Sequence, residues 1–232
     1  MKMMLRRVKS KLFIISFFII IVCNSCKTPF RDKISEGCIQ YDISYDSPSN
    51  KNFPMQLLPK TMDFKFNRNF ASYSLQDRVG LFAITIIINL QKHNHITMIK
   101  VFDKKYLYQS DRKETPIFFN PETKYSIKFS NDTIRLAGIL CKNATVTEIQ
   151  TNKNFNVSYT MIDVKYPNLG TPYEKIDGLL MDFHLQMKNL AMKLTANKVE
   201  EKVINEDDFR IPKGYKLISK KQMEDIFTTL LP

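Results

Sequence analysis

The chain contains no tryptophan, only six glycines and only three histidines in 232 residues. The glycines are too few and too scattered for a phosphate-cradling loop, and no G-x-S-x-G elbow is present. The histidines form no H-E-x-x-H pair, so zinc-peptidase chemistry has no starting point. No apolar run reaches the roughly 20 residues that a membrane-spanning helix needs. Internal repeats and low-complexity linkers are absent as well. Acids are fewer than bases, 23 against 35, for a formal charge of +12.

What is present begins at the first residues. Lys2, Arg6, Arg7, Lys9 and Lys11 precede the apolar run Leu12–Val22, and Cys23-Asn24-Ser25-Cys26 follows. A basic start, a short apolar stretch and a small residue before a cleavage point make an export signal. Cleavage between Ser25 and Cys26 would leave a cysteine at the new N-terminus, the arrangement of a bacterial lipoprotein. Residues 1–25 are therefore expected to be a signal peptide and Cys26 the lipidated residue. Cys23 is the poorer acceptor, because the branched Val22 precedes it. Plain secretion and an uncleaved anchor helix are the alternatives. Acyl chains contribute about 0.8 kcal/mol per buried CH2, so a multiply acylated cysteine holds a domain on a bilayer.

All five bases of the leader are lost on cleavage and no acid is, so a chain starting at Cys26 carries +7. That charge favours solubility and anionic head groups and is too small to indicate a nucleic-acid binder. Cys38 and Cys141 would remain. An oxidising compartment permits a disulfide between them, but two separate buried thiols fit the pattern equally.

Residues 26–37 read as a tether and 38–232 as a single domain. Within that domain, alternation of apolar and polar residues predicts strands. Ile39, Tyr41, Ile43 and Tyr45 share one face. Residues 62–67 and 70–76 form a hairpin around Asn67-Arg68-Asn69. Residues 81–90 are apolar on both faces, which predicts cover on both. Strand-like segments continue at 96–102, 106–108, 124–129, 133–136, 139–147 and 155–161. The clearest hairpin pairs Met187 with Leu190, Leu185 with Met192 and Phe183 with Leu194, all on one face. Ser219-Lys220-Lys221-Gln222 fits a capping box, and Met223, Ile226, Phe227 and Leu230 form one helical stripe. The expected fold is mainly β: a large curved antiparallel sheet, covered on its concave side by a C-terminal helix and loop.

Four phrases carry a resemblance. Tyr173-Glu-Lys-Ile-Asp-Gly-Leu-Leu-Met-Asp-Phe183 resembles the segment that names the GLPGLI family of Bacteroidota envelope proteins, with Asp177 where that motif has proline. Ile134–Ala144, Phe209–Lys216 and Glu36–Tyr45 resemble further phrases of that family, in the expected order. The resemblance implies a DUF-type lipoprotein with an open half-barrel similar to the carriers LolA and LolB, which hold acyl chains in the concave side of the sheet. It carries over no catalytic residue. The mainly basic run Lys27–Lys33, compared with that family's surface-export signals, implies the periplasmic face of the outer membrane.

Candidate chemistry is sparse. His93 and His95 have metal-like spacing, but no third ligand is evident beyond Asp103 in sequence, so they read as a polar hairpin tip. His184 is expected to be exposed beside Lys193. Asp182, Glu200 and Glu201 supply scattered carboxylates, and Glu206, Asp207 and Asp208 read as a solvated connection. The N-x-S/T triplets at Asn131, Asn143 and Asn156 matter only in a eukaryotic secretory pathway. The stronger candidate is an apolar face lined by Phe82, Ile84, Ile86, Ile88, Phe183, Leu185, Met187, Met192 and Leu194. It is either ordinary core or a seat for a ligand. The expectation is a non-enzymatic outer-membrane lipoprotein that binds a lipid or acyl chain there, with no metal, cofactor or nucleic acid. The alternative is an accessory subunit of an envelope protein complex, without a small-molecule ligand.

Overall fold

Alternating apolar residues become strands because a pleated backbone sends successive side chains to opposite faces. The computed structural model describes residues 34–46, 58–110, 114, 116–117, 124–161, 167–168, 171–187 and 190–230. The leader, Cys23 and Cys26 lie outside them. Six strands follow one another: β1 (Gly37–Tyr45), β2 (Thr61–Phe66), β3 (Phe70–Gln76), β4 (Phe82–Asn89), β5 (Asn94–Val101) and β6 (Lys104–Gln109). Then come β7 (Tyr125–Leu136), β8 (Ile139–Glu148), β9 (Asn154–Thr160), β10 (Leu179–Met187) and β11 (Leu190–Glu201). A short β12 (Lys216–Leu217) precedes the helix α1 (Lys220–Leu230).

These strands form one 12-stranded sheet in the order β12-β6-β5-β4-β3-β2-β1-β11-β10-β9-β8-β7. Each group is a meander, and the two meet where β1 pairs antiparallel with β11. β12 returns beside β6 in parallel. The sheet is open, with β12 and β7 as its two edges. Strands about 4.8 Å apart would make a flat sheet roughly 50 Å wide. Twist curls a sheet of this size.

Local chemistry explains the turns. Asn67 accepts the backbone N–H groups of Asn69 (2.9 Å) and Phe70 (2.8 Å), which closes the expected β2–β3 hairpin. Ala137 and Gly138 both have positive φ, 48° and 77°, and join Leu136 to Ile139 in a two-residue turn. The expected segments 124–129 and 133–136 merge into one strand, β7, because its register shifts between Phe129 and Thr133 without ending the strand. β7 is mostly exposed. The irregularity and its charged residues suit an edge that must not pair with other chains.

The two faces of the sheet are covered differently. The main cluster lies on the inner face and gathers Ile39, Tyr41, Phe64, Ile84, Val157 and Phe183 with their neighbours. A second cluster on the outer face contains Ile87, Met98, Leu107, Ile204 and Phe209. β4 thus contributes Ile84, Ile86 and Ile88 to one side and Ile87 to the other, as its two apolar faces predict. The outer cover is the segment after β11, whose single 3-10 turn (Glu206–Phe209) stacks Phe209 on Phe70 at 5.3 Å. The capping box forms: Ser219 N–H donates to Gln222 Oε1 (2.9 Å) and Gln222 N–H to Ser219 Oγ (3.3 Å). The helix stripe then buries Met223 and Phe227 completely.

Residues 34–36, at the end of the expected tether, are among the described ones. Ile34 is buried in the inner cluster, and the Glu36 carboxylate accepts the Ile204 N–H at 3.0 Å. The residues just before β1 therefore belong to the fold. Lys33–Pro232 forms one compact unit with its own core, the mark of a segment that folds alone.

Candidate functional site

Ile84, Ile86 and Ile88 on β4 point to the same face as Phe183 and Leu185 on β10 and Met192 and Leu194 on β11. All seven belong to the inner cluster, and Phe82 packs half-buried against it. The β10–β11 register is the one that alternation predicts: Phe183 opposite Leu194, Leu185 opposite Met192, Met187 opposite Leu190. Ile84, Ile86, Met192 and Leu194 have no exposed surface at all. Aromatic rings stiffen this layer. Tyr41 meets Phe183 edge-on at 5.6 Å, and Tyr173 meets Phe183 edge-on at 6.0 Å. The Tyr41 hydroxyl donates to the carbonyl of Leu180 at 2.7 Å, where the β9–β10 register shifts. Burial raises the Tyr41 and Tyr173 phenols well above the ordinary value, so both stay protonated.

The β5 end of this face is not apolar. His95 is 3% exposed and lies well inside the fold, which corrects the expectation of a polar hairpin tip. Burial pushes its imidazole down to about 4, against a smaller opposing pull from Glu114. His95 precedes Thr97 and Ile99 at period two, so all three share the inner face. The Ser110 hydroxyl lies 2.7 Å from His95 Nδ1, accepts the His95 backbone N–H (2.9 Å) and donates to the His95 carbonyl (3.1 Å). Beside it the Tyr108 hydroxyl donates to Glu114 at 2.6 Å, and Lys220 pairs with Glu114 at 3.7 Å. Ser110 has committed its bonds to His95 itself and is buried, so the pair is not arranged as a nucleophile and its base. Thr97 Oγ1 is buried here without a partner. The period-two pattern His95-x-Thr97-x-Ile99 already signals their shared face. Ser110, Tyr108 and Glu114 carry no comparable signal.

His93 does not join His95. It sits in the β4–β5 turn at positive φ. Among the described residues, no group of three or more His, Cys, Asp or Glu side chains is placed to hold a metal ion. His184 is opposite Lys193 as expected but is half-buried, against the expectation of exposure. It packs on Phe155 at 4.9 Å, its Nδ1 is buried without a partner, and burial lowers its basicity. Cys38 on β1 and Cys141 on β8 are both free thiols, with three strands between theirs in the sheet. The carboxylates are tied into surface pairs. Asp182 meets Lys193 (3.1 Å), Glu200 meets Lys198 and Lys202, Asp207 meets Arg210 (2.8 Å) and Asp208 meets Lys65 (3.5 Å). Glu206 accepts a hydrogen bond from Asn69 at 2.9 Å.

Taken together, the chain is a mainly β protein built on one open, mostly antiparallel sheet with an apolar inner face and a C-terminal helix. No family model and no curated protein matches it. Solved structures show distant similarity. One is PNGF-II, at 13% identity and a TM-score of 0.48, aligned over 84% of this chain and 33% of that one. The chain thus spans a third of PNGF-II. Another is a β-barrel-like protein of domain of unknown function DUF1849 from Brucella abortus, at 9% identity and a TM-score of 0.32, over 75% of this chain and 100% of that one.

Proposed function

We propose that this protein is a non-enzymatic lipoprotein, anchored through acylated Cys26 to the periplasmic face of the outer membrane, that holds an acyl chain against the inner face of its sheet. The observation that carries the reading is the pairing of an unclosed sheet with one continuous apolar layer behind it. The resemblance to GLPGLI-type and LolA-like lipoproteins points the same way. An acyl chain entering beneath α1 would exchange with Met223 and Phe227, apolar surface for apolar surface, at little net cost. The experiment is mass spectrometry of lipids extracted from the purified Lys33–Pro232 domain. Co-purifying fatty acid or phospholipid is expected. Recovery of none, together with no binding of a fluorescent fatty acid, overturns the ligand half of the reading. For the anchor half, Cys26→Ser is expected to release the protein from membranes, and full retention overturns it.

One observation favours a second reading, an accessory subunit of an envelope complex with no small-molecule ligand. Ile84, Ile86, Met192 and Leu194 are already sealed by the chain itself. Crosslinking in intact cells to one stoichiometric protein partner supports this reading.

A further inference from the structure

We propose that the β3–β4 turn and the β5–β6 turn together form a tip that docks on a lipid bilayer, its apolar side chains entering the interface and its bases meeting anionic head groups. The folded domain itself makes this contact, separately from the acylated Cys26 and from the acyl chain on the inner face. Val79, Leu81 and Phe102 carry it, at 71%, 47% and 65% exposure. The Phe102 N–H donates to the Leu81 carbonyl at 2.6 Å, which sets the two turns side by side at one end of the sheet. Single apolar residues scattered over a surface are ordinary, but three large ones on two adjoining turns mark a contact surface.

Phe102 is the sharpest of the three. It opens the two-residue turn between Val101 and Lys104, and its φ is 54°. That left-handed backbone favours glycine, because a side chain there is crowded by its own backbone. Phenylalanine thus stands where conformation and hydration both oppose it, and at 65% exposure it recovers little from the fold. An outlier of this kind points to a use beyond the folding of the chain.

Charge and shape identify the occupant. The two turns and the strand ends beside them carry Arg78, Lys100, Lys104 and Lys105 against Asp77 and Asp103. Arg78 and Lys104 are exposed. Asp77 is committed to its own turn, where its carboxylate accepts the Phe82 N–H at 3.0 Å. Lys100 donates to the Gly80 carbonyl at 2.7 Å and braces β5 against the β3–β4 turn. Bases therefore outnumber acids around an apolar tip. A second copy of this chain would set that positive surplus against itself. An anionic bilayer offers the opposite charge at its surface and an apolar layer just beneath, which is the layering that protruding apolar side chains ringed by bases fit. A pair of hairpin turns is convex, and a bilayer accepts it without a shaped pocket.

The chain has no tryptophan, so Phe102→Trp installs a single fluorophore at the tip of the Lys33–Pro232 domain. With vesicles of equal parts phosphatidylglycerol and phosphatidylcholine, its emission is expected to shift to the blue and to be quenched by brominated acyl chains. Vesicles of phosphatidylcholine alone should bind about tenfold more weakly, as should the mixed vesicles in high salt. Phe102→Gly should weaken co-sedimentation of the domain with mixed vesicles about tenfold without lowering its thermal midpoint, because glycine relieves the turn. Val203→Asp serves as the control: Val203 is 74% exposed but lies beyond the far end of β11, and its loss should leave binding unchanged. No blue shift and no quenching with the mixed vesicles overturns the proposal and leaves both the Cys26 anchor and the acyl-binding reading standing. Binding that Phe102→Gly leaves intact, or that Val203→Asp weakens equally, overturns it too. A blue shift that follows protein concentration rather than lipid assigns the tip to a second copy. A stoichiometric protein adduct to a photo-crosslinking residue at position 102 in intact cells, with no vesicle binding, assigns it to a protein partner. Either result overturns the bilayer as its occupant.

Discussion

The hydroxyl of Tyr41 reaches past a whole strand to the carbonyl of Leu180, 2.7 Å away. Tyr41 belongs to β1 and Leu180 to β10, with β11 between them. The carbonyl it meets lies where the β9–β10 register shifts and ladder pairing is interrupted. The two meanders are thus joined by a side-chain bond as well as by the β1–β11 ladder. Tyr41→Phe leaves that carbonyl buried and unmet, and is expected to lower stability by about 1–3 kcal/mol. Urea unfolding of the domain checks this; an unchanged midpoint would mean that the bond contributes nothing.

Gly178 opens the stretch that leads into β10. A Cβ there would lie 2.6 Å from the Tyr159 ring and 2.8 Å from the Thr160 carbonyl oxygen. The carbonyl is backbone and cannot swing away. Gly178→Ala is therefore expected to cost about 1–3 kcal/mol through overpacking. Thermal unfolding should show it as a lower midpoint.

Phe209 holds the outer cover in place, 6% exposed and stacked on Phe70. Phe209→Ala should cost about 3 kcal/mol, in the usual range for deleting a buried ring. Hydrogen exchange is expected to quicken in residues 204–215 before it does so in β10 or β11. Uniform loss of protection would show that the cover is not a separate local unit.

Acid should weaken the fold through His95. Its folded value is about 4, below the ordinary 6.5, so between those values the unfolded chain binds the proton more readily. The stabilisation from keeping this ring neutral is complete above pH 6.5 and is lost as pH falls towards 4. It amounts to something on the order of 3 kcal/mol. Glu114 opposes the shift and Lys220 adds to it. His184 shifts in the same direction, also from burial. His95→Gln should flatten the loss of urea stability across this window. A variant that follows the parent curve would contradict the account.

The thiols should differ in reactivity. Burial pushes Cys141 up to about 11. Cys38, half-buried, is raised by burial and by Asp63. Because the thiolate is the reactive form and access limits attack, iodoacetamide should modify Cys38 first in the native domain and both residues in denaturant. Peptide mass mapping reads this directly.

The sequence by itself determined the strands, several of their turns and the helix cap, because those depend on neighbours in the chain. Alternation in residues 39–45, 82–89 and 179–187 names the buried face, two apolar faces on residues 81–90 demand two covers, and Ser219 with Gln222 announces a helix start. The β10–β11 register was legible for the same reason: a two-residue connection leaves one pairing that keeps Phe183, Leu185 and Met187 on one side. Only the tertiary structure decided that β1 lies between β2 and β11, that β12 returns to β6, and that His95 is buried beside Ser110. Period-two patterning reports which way a side chain points, not which distant segment meets it. Whether a histidine in such a strand ends in water or against a serine fifteen residues away depends on how the far parts of the chain close over it.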